Sequence, residues 1–225
     1  MSSWIKAGKL NSGKYTKIVK RNDFPMWNIS GLFENTTIKY SSNYRVVKLS
    51  EVLTPHKQLI KVEDDKSYKR VRVRLYNQGV EQRDIIVGNS IGTKRQNVVN
   101  AGQFIISKID GKAGAFGIVP KELDEAIVTP DFMVFDIDKT KINCEYLQLV
   151  MNSDQFLTLI RANSSGTTHR QRVTVDVLMN APIPLPSLED QEKLVMTIEK
   201  SKRQLKLIEN NLKTEKENFY KNIFR

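Results

Sequence analysis

The sequence has very few of the residues that form disulfides and metal clusters. Cys144 is the one cysteine, and His56 and His169 are the two histidines, so neither an internal disulfide nor a zinc cluster is expected. No run of about eighteen apolar residues occurs, and the first residues lack the apolar stretch of a secretory signal. These absences predict a cytoplasmic protein without a membrane span or a bound metal.

Signatures of common enzymes are also missing. The chain has no Walker-type glycine loop, no Rossmann glycine fingerprint and no Asn-Pro-Pro-Tyr or Asp-Pro-Pro-Tyr segment of amino-methyltransferases. Asp131, Asp136 and Asp138 superficially resemble a nuclease metal site, but Asp138 and Lys139 are adjacent and would point to opposite faces of a strand. His169 has no orienting acid nearby. We therefore expect no catalytic residues and no cofactor.

Positive charge is abundant and unevenly distributed. The chain carries 36 Lys and Arg against 25 Asp and Glu, a formal net charge of +11. Residues 1–64 and 65–112 each carry a net +6, whereas residues 113–160 carry −5. This polarity favours one face turned toward a polyphosphate such as DNA, although a generally basic protein would have the same net charge.

Residues 68–76 alternate between basic and apolar side chains, which predicts a half-buried strand. The apolar residues expected to face the core are Val71, Val73 and Leu75. The basic residues of the opposite face are Arg70, Arg72 and Arg74. Their spacing of about 7 Å is close to that of phosphates along one DNA strand. The basic face is therefore either a DNA contact or a solvated edge strand protected by charge.

Other segments indicate a mixed α+β domain over residues 44–186. A strand end and a helical turn are predicted at 46–53, and further strands at 104–109, 126–129, 132–137 and 173–175. The glycines of 114–120 indicate a close approach of backbone segments or a sharp turn. Residues 144–160 have helical periodicity and form one helix or two short helices that meet near Asn152. Residues 1–43 are rich in Lys, Ser and Asn and form an N-terminal arm of unknown role.

The last forty residues have a different pattern. Prolines at alternate positions in 182–186 predict an extended boundary, and Ser187 with Asp190 resembles a helix cap. No proline or glycine follows, so a helix about 50 Å long is predicted over 191–223. Its apolar residues recur at steps of four and three: Leu194, Ile198, Leu205, Ile208, Leu212 and Phe219.

This narrow apolar seam predicts an antiparallel coiled coil with a partner helix, which makes residues 187–225 a spacer or dimerisation helix. Ser201 and Glu215 occupy the remaining steps of the seam. The alternative is that the helix folds back on its own domain.

Several segments, in order, resemble the specificity subunits of type I restriction–modification enzymes. The run PIPLPSLEDQEKLV at 182–195 resembles the family segment that closes a target-recognition domain and opens a spacer helix. Upstream segments that resemble the family are 104–110, 114–120, 122–128, 131–132 and the late loop 164–172. The resemblance covers roughly residues 44–225.

The resemblance implies a non-catalytic DNA-specificity subunit. The family's subunit has two recognition domains, each reading half of a bipartite target, and two antiparallel spacer helices. It docks methyltransferase subunits, which bring S-adenosylmethionine chemistry; a contact with the restriction subunit stays open. This chain has one such domain and one helix, so it resembles half a subunit. A homodimer of such halves would read a palindromic, interrupted double-stranded target.

Candidate DNA-contacting residues follow from side-chain chemistry, since Arg and Lys suit guanine and phosphate, Gln suits adenine, and Thr reaches either. They are Lys69, Arg70, Arg72, Arg74, Lys94, Arg95, Gln96, Lys108, Lys112, Thr167, Thr168, Arg170 and Arg172. His56 is expected to be a plain surface residue.

Two other functions fit the same sequence. One is a free half-subunit that regulates a full subunit or competes with it. The other is an assembly module that docks a partner through its helix and binds no DNA.

Overall fold

The computed structural model describes residues 44–163 and 172–224. The predictions for the arm 1–43 and for Thr167, Thr168, His169 and Arg170 lie outside these residues. The strands within the described ranges are β1 (Arg45–Lys48), β2 (Leu53–His56), β3 (Leu59–Lys61), β4 (Ser67–Val73), β5 (Val80–Val87), β6 (Arg95–Val99), β7 (Phe104–Ser107), β8 (Phe116–Ile118), β9 (Ala126–Val128), β10 (Phe132–Ile137) and β11 (Pro182–Leu185). The α-helices are α1 (Cys144–Met151), α2 (Asp154–Asn163), α3 (Val175–Met179) and α4 (Leu188–Ile223).

The strands form two larger sheets and one small ribbon. The first sheet has the order β2-β10-β7-β8 and is antiparallel throughout. The second has the order β3-β6-β9-β4-β5 and is mixed, because β4 and β9 run parallel where Arg70 lies opposite Ile127. The ribbon pairs β1 with β11. This architecture confirms the predicted α+β class with a mixed sheet and a long terminal helix.

Two of the three apolar cores among the described residues hold these layers together. The larger core packs the first sheet against α1, α2 and α3, and it contains the fully buried rings of Phe104, Phe116 and Phe135. Each such ring contributes about 1.5–3 kcal/mol on burial. The second core draws Val71 and Val99 from one sheet and Val134 from the other, so it joins the two sheets.

Two local predictions are wrong for identifiable reasons. Leu75 was expected to face the core but is 39% exposed, since β4 ends at Val73 and the chain turns through Tyr76 and Asn77 at positive φ. Residues 173–175 were expected to form a strand, but Thr174 caps α3 by accepting a hydrogen bond from the Val177 amide. A local side-chain cap therefore outweighs the β propensity of this segment.

The long helix begins three residues earlier than predicted. Ser187 is its N-cap, as expected, and its Oγ accepts a hydrogen bond from the Asp190 amide at 3.2 Å. The helix then runs for 36 residues, or about 54 Å. None of the helices in the described ranges combines the length and apolar character that a membrane span requires.

The base of α4 is fixed to the domain by one buried amide. Gln191 has no exposed surface; its Oε1 accepts from the Asn143 amide at 2.8 Å. Its Nε2 donates to the carbonyl oxygens of Lys141 and Pro186, each at 3.0 Å. One turn later Val195 is buried in the larger core. Every described residue from 201 to 224 is exposed, so the helix does not fold back on the described part of the domain.

We expect Gln191→Met to destabilise the domain, because it leaves one amide and two carbonyl groups without their buried partner. The free energy of unfolding should fall by about 2–4 kcal/mol in denaturant titrations. The matched control is Glu192→Met at the adjacent exposed position, which should change the free energy by less than about 0.5 kcal/mol. Equal stability of the two variants would mean that Gln191 does not anchor the helix.

Candidate nucleic-acid interface

A groove of about 430 Å³ lies on the second sheet beside residues 91–93. Three arginines of the β4–β5 hairpin line it, so we name it the arginine groove. The hairpin places them together because β4 and β5 pair side by side, with a register shift opposite Arg70 and Val71. Its polar lining residues are Arg70, Arg72, Arg83, Thr93, Gln96 and Thr129.

Carboxylates on β5 hold the arginines of β4 in position. Arg70 donates two hydrogen bonds to Asp84, from Nε at 2.7 Å and from Nη2 at 2.6 Å. Glu81 accepts from Arg72 at 3.5 Å and from Arg74 at 3.1 Å. The hydrogen bonds from Arg70 hold the pKa of Asp84 below its usual value, and those to Asp84 raise the pKa of Arg70. The arginines are thus preorganised and partly neutralised.

A second groove of about 440 Å³ lies at the corner where β2 leads into β3, and we name it the corner groove. Its cationic lining residues are Lys57, Arg95 and Lys108. Its other polar lining residues are His56 and Asn97, and its apolar lining includes Met133, Val134 and Phe135. Phe132 lines both grooves.

The structure brings five of the predicted DNA-contacting residues into these two grooves. Arg70, Arg72 and Gln96 line the arginine groove, whereas Arg95 and Lys108 line the corner groove. Gln96 is only 3% exposed, and its Nε2 donates to the Thr93 carbonyl at 2.6 Å. Its amide is therefore held in one orientation at the groove wall.

The remaining described candidates lie outside both lining sets. Lys69 lies next to Arg70 in β4 and so points to the opposite face of the strand. Its Nζ donates to the Glu122 carbonyl. Lys94 bridges Asp64 and the Gly88 carbonyl, each at 2.6 Å. Arg74 contacts Glu81 at the end of β4. Lys112 lies in the turn Gly111–Ala113, and Arg172 lies 4.0 Å from Asp131.

Several lining residues were not predicted from the sequence. Arg83 and Thr93 enter the arginine groove through the pairing of β5 and through the turn before β6, neither of which was predicted. His56 was expected to be a plain surface residue, but its Nδ1 lies 2.9 Å from Asp136 Oδ2 and its Nε2 is buried. The strong alternation of β4 was visible in the sequence, whereas these positions depend on long-range strand pairing.

The described residues contain no group of three or more His, Cys, Asp or Glu side chains arranged to hold a metal ion. Asp131, Asp136 and Asp138 have separate local partners. Burial disfavours the charged form of Asp136, but hydrogen bonds from Gln103 and His56 outweigh it and lower its pKa. Hydrogen bonds from Lys141 and Thr140 lower the pKa of Asp138 to about 2.

Comparisons with known proteins agree with this architecture. The family model for the type I restriction modification DNA specificity domain matches residues 41–217. The solved HsdS subunit from Thermoanaerobacter tengcongensis superposes with a TM-score of 0.65 at 22% identity, over 82% of this chain and 48% of that one. A chain from a study of complex assembly and conformational transition of the type I R-M system gives 0.62 at 21% identity, over the same shares.

The chain therefore spans about half the length of these two solved relatives, and it shares their fold. A search of curated protein sequences found no match.

We expect Asp84→Asn to lower the denaturant midpoint more than Glu81→Gln does, because Asp84 alone makes a bidentate, half-buried pair with Arg70. The pKa of Asp84 is lowered on folding, so its contribution is present above its ordinary value of 3.8 and is lost as the pH falls through the folded value. The difference between wild type and Asp84→Asn should be full above about pH 5 and shrink in acid. A pH-independent difference would contradict this assignment.

Proposed function

We propose that this chain, which belongs to the type I restriction–modification DNA specificity domain family, reads one half of a bipartite DNA target and leaves catalysis to partner subunits. The family match over residues 41–217 carries the proposal, since it includes the whole recognition domain and most of α4. The two adjoining grooves with cationic linings supply a physical basis for contact with DNA.

The arginine groove is suited to combine phosphate contact with base reading. A DNA phosphate can replace Asp84 or Glu81 as the partner of Arg70 or Arg72, because guanidinium binds both anions through the same planar fork. The nearby Gln96 and Thr93 supply neutral groups that suit base edges. Charged and neutral groups therefore have separate roles, in affinity and in selectivity.

We extend the same proposal to candidates outside the arginine groove. Arg95 and Lys108 line the corner groove, and Arg172 is exposed. Thr167, Thr168 and Arg170 stay in the proposed interface on the grounds of side-chain chemistry, as do Lys69, Arg74, Lys94 and Lys112. Of these, Lys94 has the strongest structural role in the free chain, because its Nζ holds two partners.

The exposed seam of α4 supports pairing with a second helix. All six predicted interface residues are exposed: Leu194 39%, Ile198 41%, Leu205 57%, Ile208 62%, Leu212 54% and Phe219 58%. A row of large apolar side chains along a solvated helix is stabilised when another helix covers it. We propose that the occupant is a second copy of this chain.

The register of the seam is symmetric about its centre, which favours an antiparallel pair. In that arrangement Leu194 faces Phe219 of the second copy, and Leu205 faces Ile208. The polar positions are covered in the same way: Ser201 faces Leu212, and Glu215 faces Ile198. A parallel pair would instead place Glu215 against Glu215 across the apolar seam, which is unfavourable.

Charges beside the seam favour the same orientation. An antiparallel pair brings Lys202 of each copy next to Glu209 of the other, which gives two symmetric ion pairs. In the single chain Lys202 contacts Glu199 of its own helix at 2.7 Å, so the interhelical pair would replace that contact. Two recognition domains would then lie at opposite ends of a rod, and the DNA target would be an interrupted palindrome.

The remaining partners are proposed from the family. Methyltransferase subunits would dock on the assembled specificity unit and supply the chemistry of S-adenosylmethionine, and the restriction subunit is a further proposed partner. An assembly module without DNA binding is the alternative, and the exposed helix alone is compatible with it. Salt-dependent DNA binding separates the two, because only a DNA reader makes phosphate contacts.

We expect the pair Arg70→Gln and Arg72→Gln to weaken binding to every duplex, because both side chains are assigned to phosphates. The slope of log affinity against log salt should become shallower by about 2 in fluorescence anisotropy titrations. The control removes the same charge from the distal helix through Lys213→Gln and Lys221→Gln. Unchanged affinity and slope would exclude the β4 face from the interface, and absence of any binding by wild type would favour the assembly module.

We expect Lys202→Glu to convert dimers to monomers at low protein concentration, because it places Glu beside Glu at two symmetric sites. Adding Glu209→Lys should restore the dimer in sedimentation analysis. Lys206→Glu, which lies away from the seam, is the matched control and should have little effect. Failure of the second change to restore the dimer would argue against antiparallel pairing.

As a separate check, Leu205→Asp with Ile208→Asp should give monomers whether the two helices pair in parallel or antiparallel orientation.

A further inference from the structure

The corner groove contains buried polar atoms that have no partner in the free chain. Asn97 Oδ1 and His56 Nε2 are two of the three buried side-chain N or O atoms without a hydrogen-bond partner among the described residues. Asn97 is 9% exposed, and both residues line the groove. Unpaired buried polar atoms reduce stability, so their presence together in one groove needs an explanation.

A chain of hydrogen bonds fixes the orientation of His56. The Gln103 Oε1 accepts from the Asn100 amide at 2.7 Å, and its Nε2 donates to Asp136 Oδ1 at 2.7 Å. The other oxygen of Asp136 lies 2.9 Å from His56 Nδ1. A carboxylate only accepts, so Nδ1 carries the proton. In the neutral form of the ring, Nε2 is then an acceptor.

The backbone around Asn97 is equally constrained. Asn97 lies at the middle of β6, where it pairs with Leu59 of β3 on one side and Val128 of β9 on the other. Two residues that line the corner groove thus carry a buried atom without a partner, Asn97 Oδ1 and His56 Nε2, and the same groove is lined by the cations Lys57, Arg95 and Lys108. A fitting ligand must carry a hydrogen-bond donor and a negative charge close together.

A nucleotide with an exocyclic amino group has this combination. Adenine N6 and cytosine N4 are donors in the major groove, whereas guanine O6 and thymine O4 are acceptors that would face Asn97 Oδ1 unfavourably. Phosphates adjoin every base and match the cations of the rim. The volume of about 440 Å³ is within the range of small-ligand sites.

We propose that the corner groove reads the major-groove amino group of adenine or cytosine through Asn97 Oδ1, with Nε2 of the neutral His56 ring as a second acceptor and Arg95 and Lys108 on adjacent phosphates. This inference rests on the proposed DNA-reading function. Asp136 and Gln103 are positioning residues, because they act through His56. Both acceptors are hidden from water in the free chain, so lining side chains shift when the base edge enters.

The test starts from duplexes that the full chain selects from a random pool. At each adenine or cytosine of the selected sequence, the base is replaced by an analogue that lacks only the amino group, purine or 2-pyrimidinone. Wild type should lose about tenfold in affinity at one such position. The variant Asn97→Leu should bind both versions of that position equally and keep its discrimination at the other positions.

Two further variants make the test decisive. Asn97→Asp keeps an acceptor and should still bind the duplex with the amino group more tightly than the duplex without it. If thermal melting shows that Asn97→Leu does not fold, His56→Phe takes its place in the comparison. Arg95→Gln should weaken all duplexes alike. Unaltered discrimination by Asn97→Leu, or by His56→Phe where it replaces that variant, would overturn the proposal.

A failure of DNA binding itself gives a different result. If wild type selects no duplex, the DNA-reading function fails, and calorimetry with dAMP, dCMP and dTMP then tests the groove alone. Binding of dAMP or dCMP but not dTMP, abolished by Asn97→Leu, would identify a free nucleotide as the ligand. Absence of binding by all three would overturn the base-reading groove as well.

Discussion

The buried amide of Gln191 is the contact on which the shape of the chain depends. It joins α4 to the segment before α1 and to the end of the proline-rich strand β11, and Val195 adds apolar contact one turn later. Beyond these first turns the helix leaves the described part of the domain. Its direction is therefore set at its base, while its apolar seam is exposed along most of its length.

Electrostatic pairing has a comparable role in the proposed interface. Arg70 and Arg72 are not free cations on a strand; they face Asp84 and Glu81 across the hairpin. Such pairs keep the guanidinium groups extended and reduce their attraction for arbitrary polyanions. In the proposed interface a DNA phosphate must compete with a carboxylate, so binding depends on contacts that the correct base sequence adds.

The sequence predicted the elements whose signals are local. Alternation identified β4, the apolar step pattern identified the helix α4, and Ser187 identified its cap. The pairing of the seam with a partner helix stays a prediction. The sequence did not predict structure that depends on long-range strand pairing or on a side-chain cap. The strands β5 and β6 were not predicted, Leu75 lies in the hairpin connection after β4, and Thr174 caps a helix. His56 was missed because its partner Asp136 is eighty residues away in the chain.

A rigid helix pair is proposed to hold two identical DNA readers at a fixed separation. The most direct measurement is the symmetry of the sequence that the full chain enriches from random duplex DNA. We predict two inverted copies of one short sequence, separated by a constant number of unspecified base pairs. Enrichment of a single uninterrupted site, or of paired sites without constant spacing, would contradict the claim.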